Sequence, residues 1–314
     1  STAGPTERPR RPPQTKKAGT GRSGTPPLVP PVFFPGGGAG GGGGGGGGGR
    51  AAAGRAGGGG WVGGGRGGLG LRGAAVLAEG GAARLVLSSR SGRVARDGQG
   101  LEARLRGVAS GASAVRVVAC DGGDGGDAAA LAAVAGPPGG VLHGAGLGDK
   151  GLLDSVWPRR LSHLLQPKAL AAASLHHSTG HHALTALVLF SSVAAALGNV
   201  GQANYAAANA WLDSLARGRG AHGAAASSLQ LPLVGGAGMG AAAFDERQMR
   251  YRGMTSISLE VYAACLSTAL SKGVAGMARC PLPAQQQSLQ ESVADWSQPL
   301  FAELAAADSP ATPA

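Results

Sequence analysis

Between Trp61 and Leu282, short runs of unbroken apolar character alternate with longer stretches of helical pattern, and that alternation restricts the chain more than any other feature. The runs are RLVLSS (Arg84–Ser89), AVRVVAC (Ala114–Cys120), GGVLHGAG (Gly139–Gly146), ALVLFSS (Ala186–Ser192) and SSLQLPLV (Ser227–Val234), with VAGMARCPL as a closing run. Strands that are apolar throughout, rather than at every second residue, are buried on both faces, as in a parallel sheet covered by helices on each side. The intervening segments, Leu69–Glu79, Gly100–Ser110, Ala128–Ala135, Leu161–His176, Ala203–Arg217 and Leu259–Ser271, predict the covering helices. Alternation of this kind predicts an α/β fold with a doubly wound, Rossmann-like parallel sheet.

The pattern occupies one stretch of the 314 residues. Residues 1–60 are Pro-rich and then Gly-rich and carry no periodic apolar pattern. Such a segment buries too little surface to offset its ordering entropy and is expected to be a disordered leader. Residues 61–283 form the expected folded domain, and 284–314 a C-terminal extension and linker. Much of the net charge of +11 lies in the leader, where eight Arg and Lys oppose only Glu7. A basic, Gly-rich tail can bind RNA or another polyanion through its phosphates. No aromatic side chains are interleaved with the arginines to stack on bases, so a solvated linker is the favoured reading and nucleic acid is not expected as a partner.

Cys120, Cys265 and Cys280 are widely spaced and odd in number, which fits free thiols in a reducing compartment rather than a disulfide frame or zinc site. The leader has no apolar core with a cleavage site, and ALTALVLF is far too short to span a membrane. A cytoplasmic protein is expected; the acid-poor leader leaves organelle targeting open. His176, His177, His181 and His182 lack a nearby Cys or carboxylate to complete a metal site and read as a polar connector, so no metal is expected.

Four features carry chemistry. GGGRGGLG (Gly63–Gly70) opens a helix; glycines such as Gly64, Gly65, Gly67 and Gly70 let a backbone approach a pyrophosphate at a helix N-terminus. The strand after that helix ends in Ser89 and Arg90. An Arg at this strand end accommodates a 2′-phosphate, which points to NADPH; the alternative is an exposed loop arginine. Asp121 follows the third strand, where it either accepts from an adenine amino group or belongs to an acidic turn. In FSSVAAALGNVGQANYAAAN, Ser192 ends a strand, and Tyr205 and Asn209 share one face of the next helix. A serine can polarise a carbonyl oxygen to which a tyrosine gives its proton, provided that a cation stabilises the phenolate. Lys168, in the middle of the preceding helix, is the candidate; its alternative is a solvated side chain.

GVLHGAG, GLLDS, PKALAAASLHH and LVLFSSVAAALGNVGQANYAAANAWLDSLA together resemble the ketoreductase domain of type I polyketide synthases and animal-type fatty acid synthases, within the short-chain dehydrogenase/reductase superfamily. The resemblance extends from Trp61 to about Leu304. Lys168 lies twenty-four residues before Ser192, Tyr205 thirteen after it and Asn209 four further on, the spacing of that family. The resemblance implies NADPH-dependent reduction of a β-ketoacyl thioester on an acyl carrier protein, within polyketide or fatty acid biosynthesis. It assigns polarisation to Ser192, proton donation to Tyr205, and the charge and proton relay to Lys168 with Asn209.

The sequence also departs from the family pattern. Only Trp61 and Val62 stand for the first strand, behind polyglycine, a poor strand former. Gly148, Asp149 and Lys150 replace one stereochemical marker, Leu197 occupies the position of the other, and Gln230–Val234 read QLPLV where the family has QWGPW. The structural half that usually precedes the catalytic half is replaced by the leader, as in a fragment of a larger synthase, whose other domains are then expected partners. Two alternatives follow: a catalytically inactive, structural relative, and polyanion binding by the leader.

Overall fold

The computed structural model of the chain describes residues 59–65, 67–93, 100–111, 114–148, 151–152, 154, 157–198, 201–235, 256–271, 276–279 and 297. The expected leader, apart from Gly59 and Gly60, lies outside them, as does nearly all of the C-terminal extension.

Seven parallel strands form one sheet. They are β1 (Gly59–Gly63), β2 (Arg84–Ser89), β3 (Ala114–Ala119), β4 (Gly140–His143), β5 (Ala186–Ser192), β6 (Ser227–Leu231) and β7 (Gly276–Arg279), in the order β3-β2-β1-β4-β5-β6-β7. The order reverses at β1, so a crevice opens at the carboxyl ends of β1 and β4, where ligands of such folds bind. Among the described residues the helices are α1 (Gly68–Glu79), α2 (Leu101–Gly111), α3 (Gly125–Ala135), α4 (Pro158–Leu165), α5 (Ala171–Ser178), the short α6 (Ala194–Leu197), α7 (Ala203–Ala221) and α8 (Leu259–Ser271). They cover both faces. On one, α1, α2 and α8 close over Leu85, Leu87, Leu142 and Val188; on the other, α5 and α7 close over Val141, Leu187 and Leu189. Burial from both sides is why these strands read as continuous apolar runs.

Two differences from expectation have physical causes. The first strand is complete and central, starting at Gly59 and pairing with both β2 and β4. Its glycines are accommodated because neighbours fill the space: a Cβ on Gly60 would meet Leu85 Cδ2 at 3.0 Å and Leu77 Cδ1 at 3.2 Å. Trp61 and Val62, 2% and 1% exposed, anchor opposite faces. Pairing on both edges and packing above and below override a weak intrinsic preference. The second difference is in the helix expected over Leu161–His176. It is interrupted by a π turn at Gln166–Leu170, between α4 and α5. Pro167 is the cause, since it has no N–H to donate and its ring crowds the preceding turn.

Candidate active site

The crevice is built from the carboxyl ends of β1, β2, β3 and β5. At the end of β1 the chain turns through Gly64, whose φ of +72° is unfavourable for other residues. A Cβ on Gly70 would lie 2.3 Å from the Gly64 carbonyl oxygen, so the turn and the first turn of α1 pack closer than any side chain permits. Gly65 N–H donates to the carbonyls of Val62 and Ser88, tying the turn to β2. Gly67 is different. It is the N-cap of α1, no side chain caps it, and the atom nearest to an added Cβ is 3.6 Å away. The turn is therefore rigid within and open at the helix N-terminus, where unpaired N–H groups and the positive end of the helix dipole favour a phosphate. Tyr262 of α8 steadies this corner: its hydroxyl donates to the Leu69 carbonyl at 3.0 Å and its ring meets Phe190 edge-on.

Ser89 and Arg90 follow at the end of β2. Ser89 Oγ donates to the Arg93 carbonyl at 3.4 Å, and Arg90 is exposed. Asp121, past β3, has its carboxylate engaged: Oδ1 accepts from Gly123 N–H at 3.1 Å and Oδ2 from Gln166 Nε2 at 3.4 Å. The loop after β3 is thereby fastened to the π turn, so tightly that a Cβ on Gly123 would reach 2.3 Å from Gln166 Cγ.

The π turn presents Lys168, 4% exposed, toward β5 and α7. Its Nζ donates to the Phe190 carbonyl at 2.9 Å and lies 5.6 Å from the centroid of the Tyr205 ring. Burial pushes this lysine down to about 8, while Asp213 acts in the opposite direction. Tyr205 stands in the first turn of α7. Burial raises its phenol above the ordinary range, and the facing side chains of Ser192 and Asn209 act against that shift. A phenol held protonated at neutral pH is in the form a proton donor needs. Ser192 Oγ accepts from Ala194 N–H at 3.2 Å and keeps its own proton for another acceptor. Asn209 is fully buried; Nδ2 donates to the Tyr205 carbonyl at 2.8 Å, whereas Oδ1 makes no hydrogen bond. The structure thus brings Lys168, Ser192, Tyr205 and Asn209 together at the end of β5, and the glycine turn lies on the neighbouring part of the crevice.

A family model for the KR domain matches residues 58–236. The chain belongs to the KR domain family. These are the ketoreductase domains of polyketide synthases, oxidoreductases of the short-chain dehydrogenase/reductase superfamily. The chain is 40% identical over 198 residues to a spectinabilin polyketide synthase system protein of Streptomyces orinoci, covering 61% of this chain and 9% of that one. It is 41% identical over 157 residues to the mycoketide-CoA synthase of Mycobacterium tuberculosis, covering 49% and 4%. Among solved structures it resembles an A1-type ketoreductase (TM-score 0.73, 33% identity, 82% of this chain and 54% of that one). It also resembles the first ketoreductase of the tylosin synthase (TM-score 0.66, 31% identity, 79% and 55%). The chain thus spans under a tenth of these synthases and about half of the solved ketoreductases.

Three residues of this candidate site carry no clear signal in the sequence. His143, at the end of β4 and 1% exposed, contacts the Lys168 carbonyl through Nε2 at 3.0 Å. A carbonyl only accepts, so Nε2 carries the proton and Nδ1 stays bare. Burial, with the Lys168 charge second, pushes His143 down to about 4. Gln166 bridges to Asp121, as described. Asp213, 3% exposed, accepts from Ser228 Oγ and from Gln230 Nε2. The signal for each was faint: a polar letter within an apolar strand or helix, whose partner lies far along the chain. Of the four histidines in the connector, His176 pairs with Arg219. Among the described residues no three His, Cys, Asp or Glu are grouped to hold a metal ion, and no helix is long and apolar enough to cross a membrane.

Proposed function

We propose that the chain reduces a β-ketoacyl thioester, carried on an acyl carrier protein, to the β-hydroxyacyl thioester at the expense of NADPH. The observation that carries this reading is the convergence of a protonated phenol, a buried ammonium, a hydroxyl and an amide at one strand end, beside a glycine turn open at a helix N-terminus. The residues present suit the cofactor: the uncapped N-terminus of α1 at Gly67 would hold a pyrophosphate, and exposed Arg90, with Ser89 beside it, a 2′-phosphate. When bound, NADPH supplies the hydride. Ser192 donates a hydrogen bond to the keto oxygen and orients it. Tyr205 gives its proton to that oxygen as negative charge develops there. The Lys168 ammonium stabilises the phenolate left behind, and Asn209 Oδ1 is free to accept from the group that returns the proton.

The reading places the chain in the cytoplasm, working beside other synthase domains, with residues 61–283 as the catalytic unit. The rival of an idle, structural relative rested on an eroded first strand, and a complete, doubly paired β1 favours the active reading. Calorimetric titration with NADPH and NADH, followed by turnover of a β-ketoacyl thioester, tests it. Tight binding with preference for NADPH and measurable reduction is expected. Replacing Tyr205 by Phe should lower turnover by at least about 100-fold and leave NADPH affinity unchanged. A folded chain that binds neither nucleotide refutes the proposal.

A further inference from the structure

We propose that Asp213 is the buried counter-charge of Lys168, a positioning residue that keeps the lysine ammonium charged; the catalytic consequence rests on the role given to Lys168 above.

Tyr205, Asn209 and Asp213 follow one another at four-residue intervals on α7 and so form one stripe. That stripe faces the sheet, with Asn209 and Asp213 at 0% and 3% exposure. The carboxylate is gripped from β6 by Ser228 Oγ and Gln230 Nε2, two residues on the same face of that strand. β6 is paired with β5 at Leu189↔Ser228 and Ser191↔Gln230, and Ser191 Oγ donates to the Asn209 carbonyl at 3.3 Å. The Lys168 ammonium is fixed to the carbonyl of Phe190, the β5 residue between those two pairs. Lysine and carboxylate are therefore anchored on the adjacent strands β5 and β6, and both are buried.

A carboxylate is not needed merely to join α7 to β6, since an asparagine accepts from the glutamine amide and bonds the serine hydroxyl equally well. A buried carboxylate bound only by neutral donors keeps an uncompensated charge, and so does a buried ammonium bound only by a carbonyl. Together each offsets the other. Of the groups acting on Lys168, burial works against its charge and Asp213 in favour of it. Among the described residues, the other titratable groups facing Lys168 are His143 from β4, held neutral, and Tyr205 from α7. Asp121 reaches the π turn only through Gln166, and His176 pairs with Arg219 toward the other end of α7.

The experiment compares the full-length wild type, Asp213→Asn and Ser228→Ala. For reduction of a β-ketoacyl thioester, the limb on which activity falls with rising pH should move to lower pH in Asp213→Asn, by about half a unit or more. It should stay in place in Ser228→Ala, which loses an anchor but keeps the charge. An unmoved limb in folded Asp213→Asn overturns the proposal. A second arm needs no activity. In denaturant unfolding, Asp213→Asn combined with Lys168→Met should lose less stability than the two single variants added together. Additive losses overturn the pairing. A non-additive result from a chain without turnover supports the pairing and removes only the catalytic role of Lys168. Should Asp213→Asn alone fail to fold, folding of the double variant supports the proposal and its failure overturns it.

Discussion

His143 shows how one side chain ties the site to the acid stability of the molecule. Its imidazole is neutral in the folded state because burial and the Lys168 charge both oppose protonation, and it titrates at about 4 against 6.5 when unfolded. The unfolded chain therefore binds more protons between those values. The stability that this histidine contributes is complete above pH 6.5 and is lost as pH falls toward 4. The full difference is on the order of 3 kcal/mol. Unfolding in urea at pH 7 and pH 4.5 should show the loss in the wild type. It should be largely absent in His143→Gln, which retains an N–H donor for the Lys168 carbonyl. That Lys168, Ser192, Tyr205 and Asn209 come together was legible in the sequence, because Ser192, Tyr205 and Asn209 lie close along the chain, on β5 and α7, and their spacing is local. His143 was not: it meets Lys168 across 25 residues of chain, and a histidine at a strand end has no spacing signature.

At the scale of elements, the strand–helix alternation was legible: β2 and β5 lie where they were expected, at Arg84–Ser89 and Ala186–Ser192, while β4 and β6 are shorter than their apolar runs and α3 and α7 longer than their helical patterns. The π turn is not legible in the sequence, because Pro167 sits in an otherwise continuous helical pattern, and local sequence does not reveal whether a proline kinks, widens or ends a helix. The glycine turn makes two opposite predictions for one substitution. Gly70→Ala drives a methyl into the Gly64 carbonyl and should cost about 1–3 kcal/mol of stability by denaturant unfolding. Gly67→Ala meets the Gly64 carbonyl oxygen at 3.6 Å, an ordinary contact, and should cost about 1 kcal/mol or less, yet its methyl stands at the N-cap of α1. NADPH affinity, measured calorimetrically, should fall at least tenfold in that variant. Had both glycines served only the turn, affinity would follow stability in each.

For the whole molecule, the parallel sheet with its order reversing at β1 was anticipated in class, and the KR domain match confirms the family. The central strand was the weak point, since composition argues against GGWVG and only neighbours on four sides make it a strand. Trp61 is its main anchor on one face, and Trp61→Ala should destabilise the fold by about 3–5 kcal/mol, read from the urea midpoint. NADPH at a hundred times its dissociation constant should add about 2.7 kcal/mol, and the same concentration of NADH less. The glycine-rich β1 has one more consequence, and it concerns synthesis. β1 leaves the ribosome before β4 and cannot complete its pairing until β4 follows some eighty residues later. An exposed strand of valines and isoleucines waiting that long would be an invitation to neighbouring nascent chains. Five residues of which three are glycine make a poor cross-β template. The composition that weakens the strand in isolation protects the chain while it is still half made.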